Sequence, residues 1–102
     1  PLLKVGPVQD VAPGQVVEVQ AGDRAFAVCN VGGQLHCLDG VCPHAGGPLG
    51  QGALQGETLV CPWHGWEFNC ITGANDADED LVVDKYKVLV ENGEIFIDAP
   101  ES

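Results

Sequence analysis

Basic residues are scarce in this chain. Four lysines and arginines face fifteen aspartates and glutamates over 102 residues, for a formal net charge of −11 at neutral pH. Such a surface repels phosphate backbones and anionic lipid, which excludes nucleic acid and acidic membranes as partners. Long apolar runs are missing as well. Nothing approaches the ~20 consecutive apolar residues that cross a bilayer. The stretch Pro1-Leu2-Leu3-Lys4 is expected to be too short for a signal peptide, and the sequence contains no twin-arginine pair. A cytoplasmic location is the default expectation. No stretch carries a convincing helical period, and no internal repeat or composition break marks a second domain. Residues 1–102 are expected to form one domain with a modest core.

Histidine is rare too, and two of the three histidines sit in boxes with cysteine. Cys42-Pro43-His44 and Cys61-Pro62-Trp63-His64 each place a cysteine before a histidine, with sixteen residues between His44 and Cys61. Thiolate and imidazole together suit zinc, copper or iron, and do not suit magnesium or calcium. Two readings fit four such donors. All four could hold one tetrahedral zinc, or the cysteines could bind one iron and the histidines the second iron of a 2Fe–2S cluster. Each box could chelate zinc, so spacing alone leaves both open. The flanks, His44-Ala45-Gly46-Gly47-Pro48 and His64-Gly65-Trp66, place glycine just after each pair. Glycine lets backbone approach a bulky centre and turn with φ > 0. Successive N–H groups in such turns form concave anion sites of the kind found around cluster sulfides. A lone zinc needs less of this padding.

The paired boxes, C-x-H and C-x-x-H at this separation, resemble the Rieske 2Fe–2S signature, and the strand pattern extends the likeness over most of the chain. The resemblance implies one 2Fe–2S cluster, with Cys42 and Cys61 on the inner iron and His44 and His64 on the outer iron near the surface. It also implies a base and a smaller cluster-binding part, about residues 39–70, built from two loops. Members from respiratory and photosynthetic complexes carry a disulfide between the boxes. Here the matching places hold Gly47 and Trp63. Their serine and tyrosine hydroxyls, which bond to cluster and cysteine sulfur, are replaced by Trp66 and Phe68. Without those hydrogen bonds the potential is expected near the low end of the Rieske range, roughly −150 mV. That pattern is similar to the ferredoxins of bacterial oxygenase systems. It implies an electron carrier, not an enzyme. Single electrons would pass from an NAD(P)H-dependent flavoprotein reductase to a terminal, aromatic-ring-hydroxylating oxygenase, with the carrier as a monomer. A complete oxygenase would need a further site of two histidines and a carboxylate, and only His36 remains. The other readings are a small Rieske-like subunit of a larger enzyme such as nitrite reductase, and a structural zinc module.

The remaining residues read as an all-β scaffold of eight to ten short antiparallel strands in a small barrel or sandwich. Strands are expected over 1–10, 15–20, 24–31, 34–38, 57–60, 66–70, 85–91 and 94–98. Gly32-Gly33 and Asn92-Gly93 are two-residue hairpin turns, and Ala21-Gly22-Asp23 is a further turn. Residues 45–56 show little β pattern and should wrap the cluster. Cys29, Cys37 and Cys70 are expected as free buried thiols; a Cys29–Cys37 bridge does not suit a reducing compartment. His36 is expected as a partly exposed strand residue and Trp63 as a cover for the cluster. The acidic run Asn75 to Asp80 is expected to be a solvated loop that also steers basic partners.

Overall fold

The computed structural model describes residues 2–21, 24–42, 46–63, 65–75, 77–78 and 80–98. These residues form nine strands and two short 3-10 turns: β1 (Leu2–Pro7), β2 (Val16–Ala21), β3 (Arg24–Val31), β4 (Gln34–Asp39), β5 (Ala53–Gln55), β6 (Thr58–Val60), β7 (Glu67–Asn69), β8 (Lys85–Glu91) and β9 (Glu94–Asp98). Six make a curled antiparallel sheet in the order β1-β9-β8-β4-β3-β2, and three make a small sheet in the order β5-β6-β7. No helix among the described residues is long and apolar enough to cross a membrane.

The hairpins form where the turn chemistry demands them. Gly32 and Gly33 have φ of 59° and 98°, and Asn92 and Gly93 have 52° and 77°. Left-handed backbone at both central positions matches the right-handed twist of the flanking strands. The register then decides which residues are inside. β3 and β4 pair Val28 with Cys37 and Cys29 with His36. Opposed residues share a face and neighbours alternate, so Cys29 and Cys37 point to opposite sides of the sheet and no bridge can join them. All five cysteines are free and buried.

This alternation divides the core in two. Phe26, Val28, Cys37, Ile95 and Ile97 pack within the curl of the large sheet. Ala27, Cys29 and Leu38 face the other way and meet Leu49, Leu59 and Phe68 of the small sheet and its loops. The curl does not close by hydrogen bonding. β1 and β2 are its two edges, and Val5, Val17, Val19 and Ile95 line the seam between them. Arg24 ties β3 to β8: its Nη2 donates to the Tyr86 hydroxyl at 2.6 Å, and its guanidinium stands 5.0 Å from the Phe26 ring centre. The chain leaves the large sheet at Asp39 and returns at Lys85, and the Asp39 N–H donates to the Asp84 carbonyl at 2.8 Å.

Several expectations are adjusted. The opening strand stops at Pro7 and becomes a 3-10 turn over Val8–Asp10. Residues 45–56, where little β pattern is expected, contain the 3-10 turn Leu49–Gln51 and the three-residue strand β5. The turn expected at Ala21-Gly22-Asp23 includes Gly22 and Asp23, which lie outside the described residues. His36 is a partly exposed strand residue, as expected, yet its Nε2 is enclosed with no hydrogen-bond partner among the described residues. Burial lowers its pKa below the ordinary 6.5, and Lys85 lowers it further.

That shift has a sign that can be checked. Above pH 6.5 the imidazole is neutral in both folded and unfolded chains. As pH falls below that value the unfolded chain takes the proton first, so stability is lost towards the folded pKa. The denaturation midpoint of the native protein should therefore fall relative to His36→Gln between pH 7 and pH 5. Parallel profiles for the two proteins would show that His36 contributes nothing to the pH dependence.

Candidate metal centre

The first box follows β4 directly. Gly40 makes the exit turn: its N–H donates to the Ala25 carbonyl at 2.9 Å, and its carbonyl accepts from Leu49 N–H at 2.9 Å. A short loop then closes on itself. Cys42 N–H donates to the Gly47 carbonyl and Gly46 N–H to the Cys42 carbonyl, both at 2.8 Å, with Gly46 at φ 75° and a bridge between Val41 and Pro48. The second box follows β6. Cys61 N–H donates to the Trp66 carbonyl at 2.7 Å, and Gly65 turns the chain at φ 70°.

These two loops bring Cys42 and Cys61 together. Each is 1% exposed, and their thiols lie in side-chain contact. Burial pushes the Cys61 thiol up from its usual range and the adjacent Cys42 adds to this, while the backbone N–H of Trp63 donates to the sulfur and pulls it down. An unpartnered pair of buried thiols gains little in a core, whereas a positive centre between them would hold both as thiolates. Gly47 keeps the space open. A Cβ there would stand 2.9 Å from Trp63 Cγ and 3.0 Å from Cys61 Sγ. Leu49, Leu59 and Phe68 enclose the pair from the core side. The donor set, the backbone N–H on sulfur and the bare glycine floor fit an iron–sulfur cluster.

His44 and His64, with Pro43 and Ala45, lie outside the described residues. Among the described residues, no group of three or more histidines, cysteines or acids is placed to hold a metal ion. Trp63 is 49% exposed and Val41 likewise. The Trp63 ring lies over Gly47, so it covers the loops on one side and faces solvent on the other. Phe68 is fully buried and has no donor to offer the sulfurs.

One supporting residue escaped the sequence reading. Asn75 begins the acidic run yet is only 4% exposed. Its Nδ2 donates to the Glu67 carbonyl at 3.0 Å, and its Oδ1 accepts from Ala77 N–H at 3.0 Å and Asp78 N–H at 2.8 Å. It therefore fixes the backbone one residue beyond the carbonyl that anchors Cys61. Only an Asx-turn pattern in the sequence hints at this. Asp78 and Asp80 are exposed as expected, while Asp76 and Glu79 lie outside the described residues. Asn75→Ala removes all three bonds from a buried position and should cost about 2 kcal/mol. Urea unfolding measures it, and a loss under about 0.5 kcal/mol, the usual range for an inert surface change, would contradict the anchoring role.

Comparison with known proteins agrees with this geometry. The family model for the Rieske [2Fe-2S] domain matches residues 2–87. The 3-phenylpropionate/cinnamic acid dioxygenase ferredoxin subunit of Escherichia coli is 34% identical over 100 residues, covering 94% of this chain and 92% of that protein. Human apoptosis-inducing factor 3 is 35% identical over 95 residues, but the chain spans only 15% of its length. Among solved structures, a complex of reduced oxygenase and oxidized ferredoxin in carbazole 1,9a-dioxygenase contains a chain that superposes with a TM-score of 0.86 at 32% identity. That match covers 94% of this chain and 91% of the other.

Proposed function

Because the chain belongs to the Rieske [2Fe-2S] family, we propose that it is a one-electron carrier whose single cluster is held by Cys42, His44, Cys61 and His64. It takes electrons from an NAD(P)H-dependent flavoprotein reductase and delivers them to a terminal oxygenase of the aromatic-ring-hydroxylating type. The observation that carries this reading is the buried contact of Cys42 and Cys61 at the meeting of two glycine-bearing loops. Relatives of matching length whose names join a ferredoxin to a dioxygenase support the partner.

When bound, the cluster supplies one electron that is accepted and released without bond rearrangement in the protein. Cys42 and Cys61 would hold the inner iron and His44 and His64 the outer one. The Trp63 N–H offsets negative charge on the Cys61 sulfur. Leu49, Leu59 and Phe68 keep water from the inner side. The net charge of −11 gives long-range attraction to basic partner surfaces, and this attraction weakens with salt. Cys29, Cys37 and Cys70, free thiols beside the two ligand cysteines, suit a reducing compartment, so we place the exchange in the cytoplasm.

Film voltammetry across pH tests the proposal. A one-electron wave near roughly −150 mV, flat through neutral pH, is the expected result. A high potential that already falls near neutral pH would overturn the low-potential assignment. A silent, colourless protein containing one zinc per chain would overturn the redox role itself.

A further inference from the structure

Two other cysteines meet in the core, and neither belongs to the boxes. Cys29 faces inward from β3, and Cys70 follows β7. Both are fully buried within the same apolar cluster as Leu38, Leu59 and Phe68, and their side chains lie close enough to interact. Cys37 is on the far side of the sheet. The Cys29–Cys70 contact joins the large sheet to the inserted part that carries the cluster loops. Cys70 is held in place there, its N–H donating to the Glu57 carbonyl at 2.8 Å.

We propose that Cys29 and Cys70 form an oxidisable dithiol, which a small hydroperoxide converts to a disulfide that fastens the small sheet to the large one. The Cys70 sulfur attacks the O–O bond, which breaks and releases an alcohol, or water from hydrogen peroxide, and leaves a sulfenic acid. The Cys29 sulfur attacks that sulfenic sulfur, the S–S bond forms, and the hydroxyl leaves as water with the Cys29 proton. Two thiols are oxidised by two electrons and one peroxide is reduced. The asymmetry suits these roles. Cys70 lies next to the exposed Ile71, whereas Cys29 sits inside the buried strand β3, so Cys70 is the sulfur nearer solvent along the chain. Full burial admits a small peroxide more readily than a bulky disulfide. The bond would close a long segment between distant strands, where constraint of the unfolded chain is large.

The test treats cluster-loaded protein with a few equivalents of hydrogen peroxide while its visible absorption is followed. Free thiols are then alkylated in denaturant. Cleavage after acidic residues separates Cys29 from Cys42 at Asp39, and Cys70 from Cys61 at Glu67. Cys37 remains with Cys29, so the mapping uses Cys37→Ala, and the thiol count is repeated on the unaltered protein. The expected result is a Cys29–Cys70 cross-linked peptide and two fewer alkylated thiols while absorption persists. A melting temperature raised on the order of 10 °C should accompany it, and both changes should be absent in Cys70→Ala. Full alkylation of Cys29 and Cys70, or a first cross-link through Cys42 or Cys61, would overturn the proposal. Mass mapping reads the link whether or not iron is present, so this proposal and the electron-carrier reading can fail separately.

Discussion

His64→Ala is expected to yield a folded protein without the two-iron spectrum of the native one. The argument runs from ligand count. Where the two box loops meet, the described residues bring two soft donors together, Cys42 and Cys61. Two thiolates cannot satisfy two irons, and the only other histidine, His36, sits in β4 with its Nε2 enclosed away from the loops. Removing either box histidine therefore leaves an iron without its set. Position 64 falls between β6 and β7 and in none of the nine strands, so circular dichroism should still report β structure. A companion variant sharpens the result. His44→Cys with His64→Cys supplies four thiolates, and any cluster that assembles should move towards the roughly −400 mV typical of all-cysteine 2Fe–2S ferredoxins. Retention of the native spectrum in His64→Ala would remove this residue from the site.

Gly40→Ala should destabilise the fold by about 3 kcal/mol and reduce iron content as well. A Cβ at Gly40 would lie 2.6 Å from the Ala25 carbonyl carbon, 2.7 Å from its oxygen and 2.8 Å from Phe26 N. All three are backbone atoms of β3, the most buried strand, and they cannot swing aside as a side chain would. The exit turn would have to lift, stretching the Gly40–Ala25 and Leu49–Gly40 hydrogen bonds and moving Cys42. Gly56→Ala is the informative comparison. Gly56 has φ of 63° and nothing within 4 Å of a built Cβ, so only the left-handed backbone penalty of about 1–2 kcal/mol applies. Equal effects at the two positions would show that close approach to β3 is not what fixes glycine at 40.

Legibility in the sequence followed the range of the interactions. β3, β8 and β9 stand where alternation and the Gly32-Gly33 and Asn92-Gly93 turns put them, because both signals are local. β5 was invisible. Ala53-Leu54-Gln55 has no strand pattern of its own and exists because it pairs with Val60, Leu59 and Thr58. Val90 alternates with Tyr86 and Val88 but is 51% exposed. Alternation gives the face of a strand, not how far the core extends along it. Asn75 read as one more polar residue in an acidic run, since the carbonyl it satisfies lies on another segment. The cysteine–histidine boxes stand out because chelation sets donors at short fixed spacing; the structure brings Cys42 and Cys61 together, and His44 and His64 lie outside the described residues. That Trp63 lies over Gly47 was not legible, since it depends on how the two loops meet.

The hydrogen bond from Asp39 to Asp84 gives the cluster-bearing segment a common doorway. Everything from residue 40 to 84 leaves and re-enters the large sheet at neighbouring points. The segment is thus an insertion into a hairpin, with β4 and β8 as the arms. Closing a loop of that length costs only modestly more than closing a short one, but the arms cannot meet until it is closed. Pairing of β4 with β8 should then be a late event in folding, set by contact order and not by strand propensity. The same doorway makes the segment topologically separable. A short turn spliced between Asp39 and Lys85 would leave the six large strands connected in their native order. The segment would not stand unchanged in another hairpin, because Leu49, Leu59 and Phe68 pack on Ala27, Cys29 and Leu38 of the large sheet.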